Sequence, residues 1–317
     1  MSRTRSDSSE RFHTLLVLLA AVMYGTLTVG GRYFAMRGWS LYEISLIILW
    51  NPIALLPVLV WRRFRLPQGA FRFFAGFGFL GALLQLSQFA GPLLDVPVAI
   101  VALLLHTAPV WTFVFGVLLL GERVTSRALM AATLAIAGVA VMLLPSMRVA
   151  NYPIAGVFAA LAGGLFLSLW LIYARRGGIR GLHPFVSTFC LSLSTGLWLI
   201  VLHPLFATVA PAKHFTRIDP SVYVTDWPGV VLYVIVAGIV PAWLFFIGMR
   251  SVKATTAAIL LLLEPVSASL LARLLFGQPL TGYVLAGGVL ILLGSYLVIA
   301  QRGTRRVDRF ATGDCDM

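Results

Sequence analysis

Charge is what this chain has least of: Asp, Glu, Lys and Arg together make up 11% of its 317 residues. The chain is 60% hydrophobic, with a mean hydropathy of +0.94. No soluble domain of this length can cover that much apolar surface, so the class is an integral membrane protein. Only two cysteines occur, Cys190 within an apolar run and Cys315 in the tail. They exclude a disulfide framework and offer no metal-ligand spacing, and nothing else in the chain calls for a metal or cofactor. Gly-x-Ser-x-Gly, His-Glu-x-x-His and paired aspartates within apolar runs are absent, which removes the usual signatures of an intramembrane enzyme. No span carries a filter-like sequence or repeated charges, as a channel would. The strict alternation of a β-barrel is missing as well.

What charge there is runs one way, with 24 Lys and Arg against 11 Asp and Glu, net +13. These residues fall in short segments between apolar runs, as topology signals do, so no nucleic-acid partner is implied. Ten stretches are long enough to cross roughly 30 Å of hydrocarbon at about 20 residues each. They lie near 14–35, 42–61, 73–92, 97–119, 127–145, 154–174, 185–203, 229–249, 255–276 and 281–300. Lipid offers no partner for backbone amides, so each is expected to be a helix. The first stretch has no clear small-x-small cleavage site after it and reads as a span rather than a leader. With the N-terminus cytoplasmic, eighteen basic residues fall inside and six outside: Arg32, Arg37, Arg148, Lys213, Arg217 and Arg273. That bias predicts both termini inside a plasma (inner) membrane, with tails at 1–13 and 302–317. The second tail, RGTRRVDRFATGDCDM, reads as disordered. The connection from His203 to Pro228 reads as a loop or interfacial helix.

A repeat organises the chain. VPVAIVALLLHTAPVWTFVFGVLLLGERVT (Val96 to Thr125) and VKATTAAILLLLEPVSASLLARLLFGQPLT (Val252 to Thr281) align without a gap. Pro109 falls on Pro265, Val110 on Val266, Gly121 on Gly277 and Thr125 on Thr281, and the register holds to Gly138 on Gly294. Such self-similarity fixes architecture before any single residue is interpreted. It divides the chain into repeats at 14–145 and 154–301, joined by a linker at 146–153. Five helices is an odd number, so the second copy must enter the membrane from the opposite side. The expected fold is an all-α polytopic membrane protein: ten transmembrane helices as two inverted five-helix repeats.

HTAPVWTFVFGVLLLGERVT and LLEPVSASLLARLLFGQPLT each carry a mid-helix proline, large aliphatics, then Gly-Glu or its counterpart and a Thr opening the next helix. In these features, across Thr14 to Ala300, the chain resembles the EamA-type branch of the drug/metabolite transporter superfamily. The resemblance implies a secondary transporter, often an exporter of amino acids or other small metabolites. One departure is Gln278, which stands where the first repeat has Glu122. Any capping or gating contact made by that acid lacks a carboxylate counterpart at the outer face.

Glu264 is the acid placed near the middle of a span. An ionised carboxylate there costs about 2.5–3.5 kcal/mol, so it should face a cavity or a partner. Pro265 cannot donate to the Leu261 carbonyl, which leaves a kink and a polar spot beside the acid. Glu264 reads as a site exchanging a proton for a substrate amine, or as a structural acid bonded to a neighbouring helix. His106 lies three residues before Pro109 and reads as a proton relay or substrate contact, or as a neutral interhelical hydrogen bonder. The repeat sets Glu264 over Ala108, two residues and about 200° from His106, so symmetry does not turn both toward one cavity.

Tyr24, Gln85, Gln88, Trp111, Trp170 and Trp243 sit within spans, where they either line a substrate path by stacking and cation–π contact or pack helices. Asn51 reads as an interhelical hydrogen bonder. Arg32, Glu43 and Asp95 lie near the outer surface, placed for snorkelling or a gate salt bridge, and Arg273 for snorkelling. Gly25, Gly30 and Gly31 in the first span match Ala162, Gly163 and Gly164 in the sixth and should let helices approach closely. These readings favour a proton-coupled or facilitative carrier that rocks about a midplane site at Pro109 and Pro265. A channel remains the rival class. No Arg or Lys lies deep in a span, and one acid with several aromatics leans toward a neutral or cationic small molecule.

Overall fold

The computed structural model describes residues 2–63, 69–93, 98–146, 154–209 and 216–311. Ten helical segments among them are long and apolar enough to cross a membrane, on the ten stretches read from the sequence. In order they are Glu10–Met36, Leu41–Trp61, Ala70–Gln88, Val101–Leu120, Ser126–Leu143, Ile154–Ile179, Pro184–Thr208, Trp227–Gly248, Ala254–Phe276 and Gly282–Ile299. The second opens on a capping box. Ser40 Oγ accepts from the Glu43 amide at 2.9 Å, and the Glu43 carboxylate accepts from the Ser40 amide at 2.7 Å.

The ends differ from expectation. The tenth helix does not stop at its apolar stretch but runs on to Ala311, so the tail from 302 is helical as far as it is described. Gln and Arg are good helix formers, and a finished apolar helix ahead of them removes the cost of nucleation. The first helix likewise begins at Ser2, and the seventh continues through Pro204 to Val209. The linker at 146–153 lies, apart from Ser146, outside the described residues, as does Asp95.

The repeat is visible in the backbone. The fourth span consists of Val98–Leu105 and Ala108–Leu120, the ninth of Ala254–Leu261 and Glu264–Phe276. Both are broken after eight residues and resume for thirteen. Each resumption sets proline in the first turn, where its missing amide proton costs nothing. Both close on a glycine in the left-handed region, and Thr125 and Thr281 then accept from the amides three residues on.

Small residues decide which helices meet, because lipid supplies no hydrophobic drive between them. The fifth span lies along the tenth, the first against the eighth and ninth, and the sixth against the third and fourth. A Cβ at Gly138 would stand 2.6 Å from the Gly287 carbonyl oxygen, and one at Gly287 would strike the Gly138 carbonyl in return. At one end of the bundle three arginines cap backbone carbonyls. Arg175 donates to Met249 at 2.7 Å, Arg176 to Leu119 at 3.4 Å and Arg250 to Leu182 at 3.3 Å. Next to this arginine-rich end Phe245, Met249, Val252, Ile259 and Leu260 are fully buried.

Candidate functional site

The break in the ninth span builds the site. Leu262 and Leu263 donate to carbonyls only three residues back, at 3.1 Å each, and Pro265 has no amide to restore the α-helical pattern. The chain resumes as helix at Glu264. Its Oε1 accepts from the Thr28 hydroxyl at 3.2 Å, its one hydrogen-bond partner among the described residues. Gly25, one turn before Thr28, permits this approach. A side chain there would collide with Ser267 Oγ and come within 2.7 Å of the Ala268 amide nitrogen.

Two tyrosines complete the surroundings. Tyr24, four residues before Thr28 and so on the same helical face, lies within electrostatic reach of the Glu264 carboxylate, as does Tyr233 of the eighth span. The Tyr233 ring occupies the space over Gly30, and its hydroxyl donates to the Leu27 carbonyl at 3.3 Å. Immediately after Tyr233 the eighth span widens into a π-helical segment, Val234–Ile239, a feature common at functional sites. Thr26 Oγ1 donates to the Val236 carbonyl of this segment at 3.4 Å. Asn51 packs on its Gly238 and donates to Ser192 Oγ at 3.1 Å, the interhelical bond expected of it. Thr28 is exposed and Glu264 partly so.

Toward the arginine-rich end the site is closed by aromatic rings. Tyr24 meets Phe245 edge-on at 6.2 Å, Phe245 stacks on Trp170 at 5.3 Å, and Trp170 contacts Phe77 at 5.3 Å. Phe77 stacks on Tyr173 at 5.8 Å, Tyr173 meets Phe73 at 5.5 Å, and Arg180 lies over Phe73 at 5.3 Å. A carboxylate among hydroxyls and ring faces, with no guanidinium or ammonium on it among the described residues, is equipped to hold a proton or a protonated amine.

Of the residues singled out from sequence, the structure gathers Glu264, Pro265, Tyr24 and, through Phe245, Trp170. His106 sits elsewhere, at the break of the fourth span, where Nδ1 contacts its own helix at the Ala102 carbonyl, 2.6 Å away. That break, opened by Pro109, packs on the sixth span. A Cβ at Gly164 would stand 2.7 Å from the Leu104 carbonyl oxygen and 2.8 Å from Thr107 Oγ1. Trp243 stacks on Phe185 at 5.2 Å, next to His183. Trp111 Nε1 and Gln85 Oε1 are shielded from solvent and have no hydrogen-bond partner among the described residues, and Gln88 is partly buried. At the opposite end Glu43 is fully buried and pairs with Arg217, whose Nε is 3.1 Å away. Arg32 reaches over the Phe276 ring at 5.4 Å, and the Gln278 amide oxygen accepts from its guanidinium. Arg273 donates back to the Gly277 carbonyl at its own helix end, at 3.3 Å. Sequence reading missed Thr28, Tyr233 and the π segment. The four-residue spacing of Thr28 from Tyr24 is the one sequence signal that points to any of them.

Comparison with known proteins gives the same architecture. The EamA-like transporter family matches twice, over residues 11–144 and 154–300. An uncharacterized transporter of Archaeoglobus fulgidus is 30% identical over 293 residues, 92% of this chain and 97% of the relative. A probable amino-acid metabolite efflux pump of Salmonella typhimurium is 26% identical over 217 residues, 68% of this chain and 71% of that protein. A solved crystal structure superposes with a TM-score of 0.71 at 20% identity, covering 90% of this chain and 97% of that one.

Proposed function

The chain belongs to the EamA-like transporter family, and on that premise we propose that it is a secondary carrier exporting small metabolites, such as amino acids or hydrophobic amines. Its two five-helix halves, inverted relative to each other, rock about a midplane site. Glu264 takes up a proton on one side and surrenders it as the substrate's amine arrives. The observation that carries this reading is the Glu264 carboxylate itself. It stands at a helix break, partly exposed, held by one hydroxyl and bordered by Tyr24 and Tyr233. A structural acid inside a membrane is normally paired or fully bonded, because leaving it otherwise is costly. Export is supported by the likeness to the probable amino-acid metabolite efflux pump of Salmonella typhimurium. A plasma (inner) membrane with both termini cytoplasmic is supported by the eighteen-to-six distribution of basic residues.

The test is counterflow in proteoliposomes across a panel of amino acids and amines. Saturable, trans-stimulated exchange that rises with an opposing pH gradient is expected of the wild type, and Glu264→Gln should abolish the exchange. A mutant that retained pH-dependent exchange would remove Glu264 from the mechanism. Flux indifferent to trans substrate would mark a channel.

A further inference from the structure

At the arginine-rich end the two repeats are joined through Glu122. It follows the left-handed Gly121 that ends the fourth span and is buried, with 8% of its surface exposed. Among the described residues, the donors to its carboxylate all come from the start of the ninth span. Ala254 N donates to Oε1 at 2.7 Å, and Thr255 N and Oγ1 donate to Oε2 at 3.1 and 2.8 Å. Those amides belong to the first turn of a helix, which has no internal acceptors for them and carries positive partial charge. Gly116 gives the group its room. A Cβ there would stand 3.1 Å from Thr255 Cγ2 and 3.3 Å from the carboxylate.

The repeat allows each part to be compared with its counterpart at the other end. Glu122 maps on Gln278, Gly116 on Ala272 and Thr255 on Ala99. The charge, the cleared space and the hydroxyl donor are therefore all lost together. The backbone of the turn that closes each helix is kept, since Glu122 N donates to Gly116 O at 2.9 Å and Gln278 N to Ala272 O at 3.4 Å. The Gln278 side chain instead serves Arg32, 2.8 Å from its Nη2. One end is thus closed by a charge-assisted cap, and the matching residues of the other end cannot make one.

We infer that Glu122 is a latch that holds the arginine-rich end shut and biases the resting carrier toward opening at the opposite end. The ninth span's leading helix must leave Glu122 whenever the central site opens at the arginine-rich end. Losing a charged hydrogen-bonded cap should move that equilibrium by about tenfold or more. This rests on the carrier reading above.

The test uses two reporters in a Cys190→Ala, Cys315→Ala background. Ala257→Cys lies in the fully buried leading helix and Thr28→Cys on the exposed side of the site. Labelling by a charged maleimide is followed in nanodiscs with and without Glu122→Gln. The mutation is expected to raise labelling at 257 by about tenfold and lower it at 28. Thr255→Val, which removes one donor and no charge, should move both in the same directions by less. Unchanged rates overturn the latch. A parallel rise at both positions also overturns it, because that is loosening rather than a shift between two openings. Wild-type counterflow separates the two ideas: exchange with unmoved labelling sinks the latch alone, and no exchange sinks the carrier.

Discussion

Gly121 and Gly277, at equivalent places in the two repeats, end their helices in nearly the same backbone conformation, φ 62° and ψ 25° against φ 67° and ψ 17°. A Cβ at either would meet nothing within 4 Å. Alanine at either position is therefore penalised by backbone conformation alone, about 1–2 kcal/mol. Thermal unfolding in detergent should show similar falls in midpoint for Gly121→Ala and Gly277→Ala. A neutral result at either would mean the turn relaxes freely.

Glu43 predicts a larger effect outside the central site. Its buried carboxylate accepts from Ser40 N at 2.7 Å, Asp219 N at 2.8 Å and the Arg217 guanidinium. Tyr223 also donates to its carbonyl, at 2.7 Å. Glu43→Ala keeps the carbonyl that Tyr223 uses but strands the donors to the carboxylate, and should cost about 2–4 kcal/mol. Arg217 is half exposed, so Arg217→Ala should cost less. Proteolysis of the segment around residues 216–225 reports the order, and equal sensitivity in the two variants would contradict it.

His183, between the sixth and seventh spans, supplies a pH dependence. Partial desolvation by its neighbours, and after it the nearby Arg250 charge, hold its imidazole below the ordinary value of about 6.5. The folded chain therefore stays unprotonated where the unfolded chain takes up a proton. Stability is full above about pH 6.5 and falls as pH drops below it. Melting curves at pH 7.5 and 5.5 should show a smaller acid-induced drop in His183→Gln than in the wild type. Identical drops would assign the effect to another group.

Sequence exposed the skeleton because glycine and proline punctuate both halves at the same spacing, and the broken helices follow that punctuation. It exposed Glu264 because a lone acid in mid-span is costly. It did not expose Thr28 or Tyr233, since what faces Glu264 depends on how the first span crosses the ninth. Gly25 and Gly30 set that crossing, through contacts with residues more than 200 positions away. His106 was ambiguous for a related reason. A histidine that bonds its own helix four residues back has the same sequence context as one that faces a ligand. The helix over 302–311 is not legible from the polarity of that segment alone, because the apolar helix ahead of it acts as its template.

The glycine seam between the fifth and tenth spans constrains change in a way that the exposed faces of those helices do not. Gly138 lies against the Gly287 carbonyl and Gly287 against that of Gly138, so bulk introduced on either helix is felt by both. Drift along this line is correlated: a methyl tolerated at one glycine demands a concession at its opposite number, and the two halves can diverge freely only away from it.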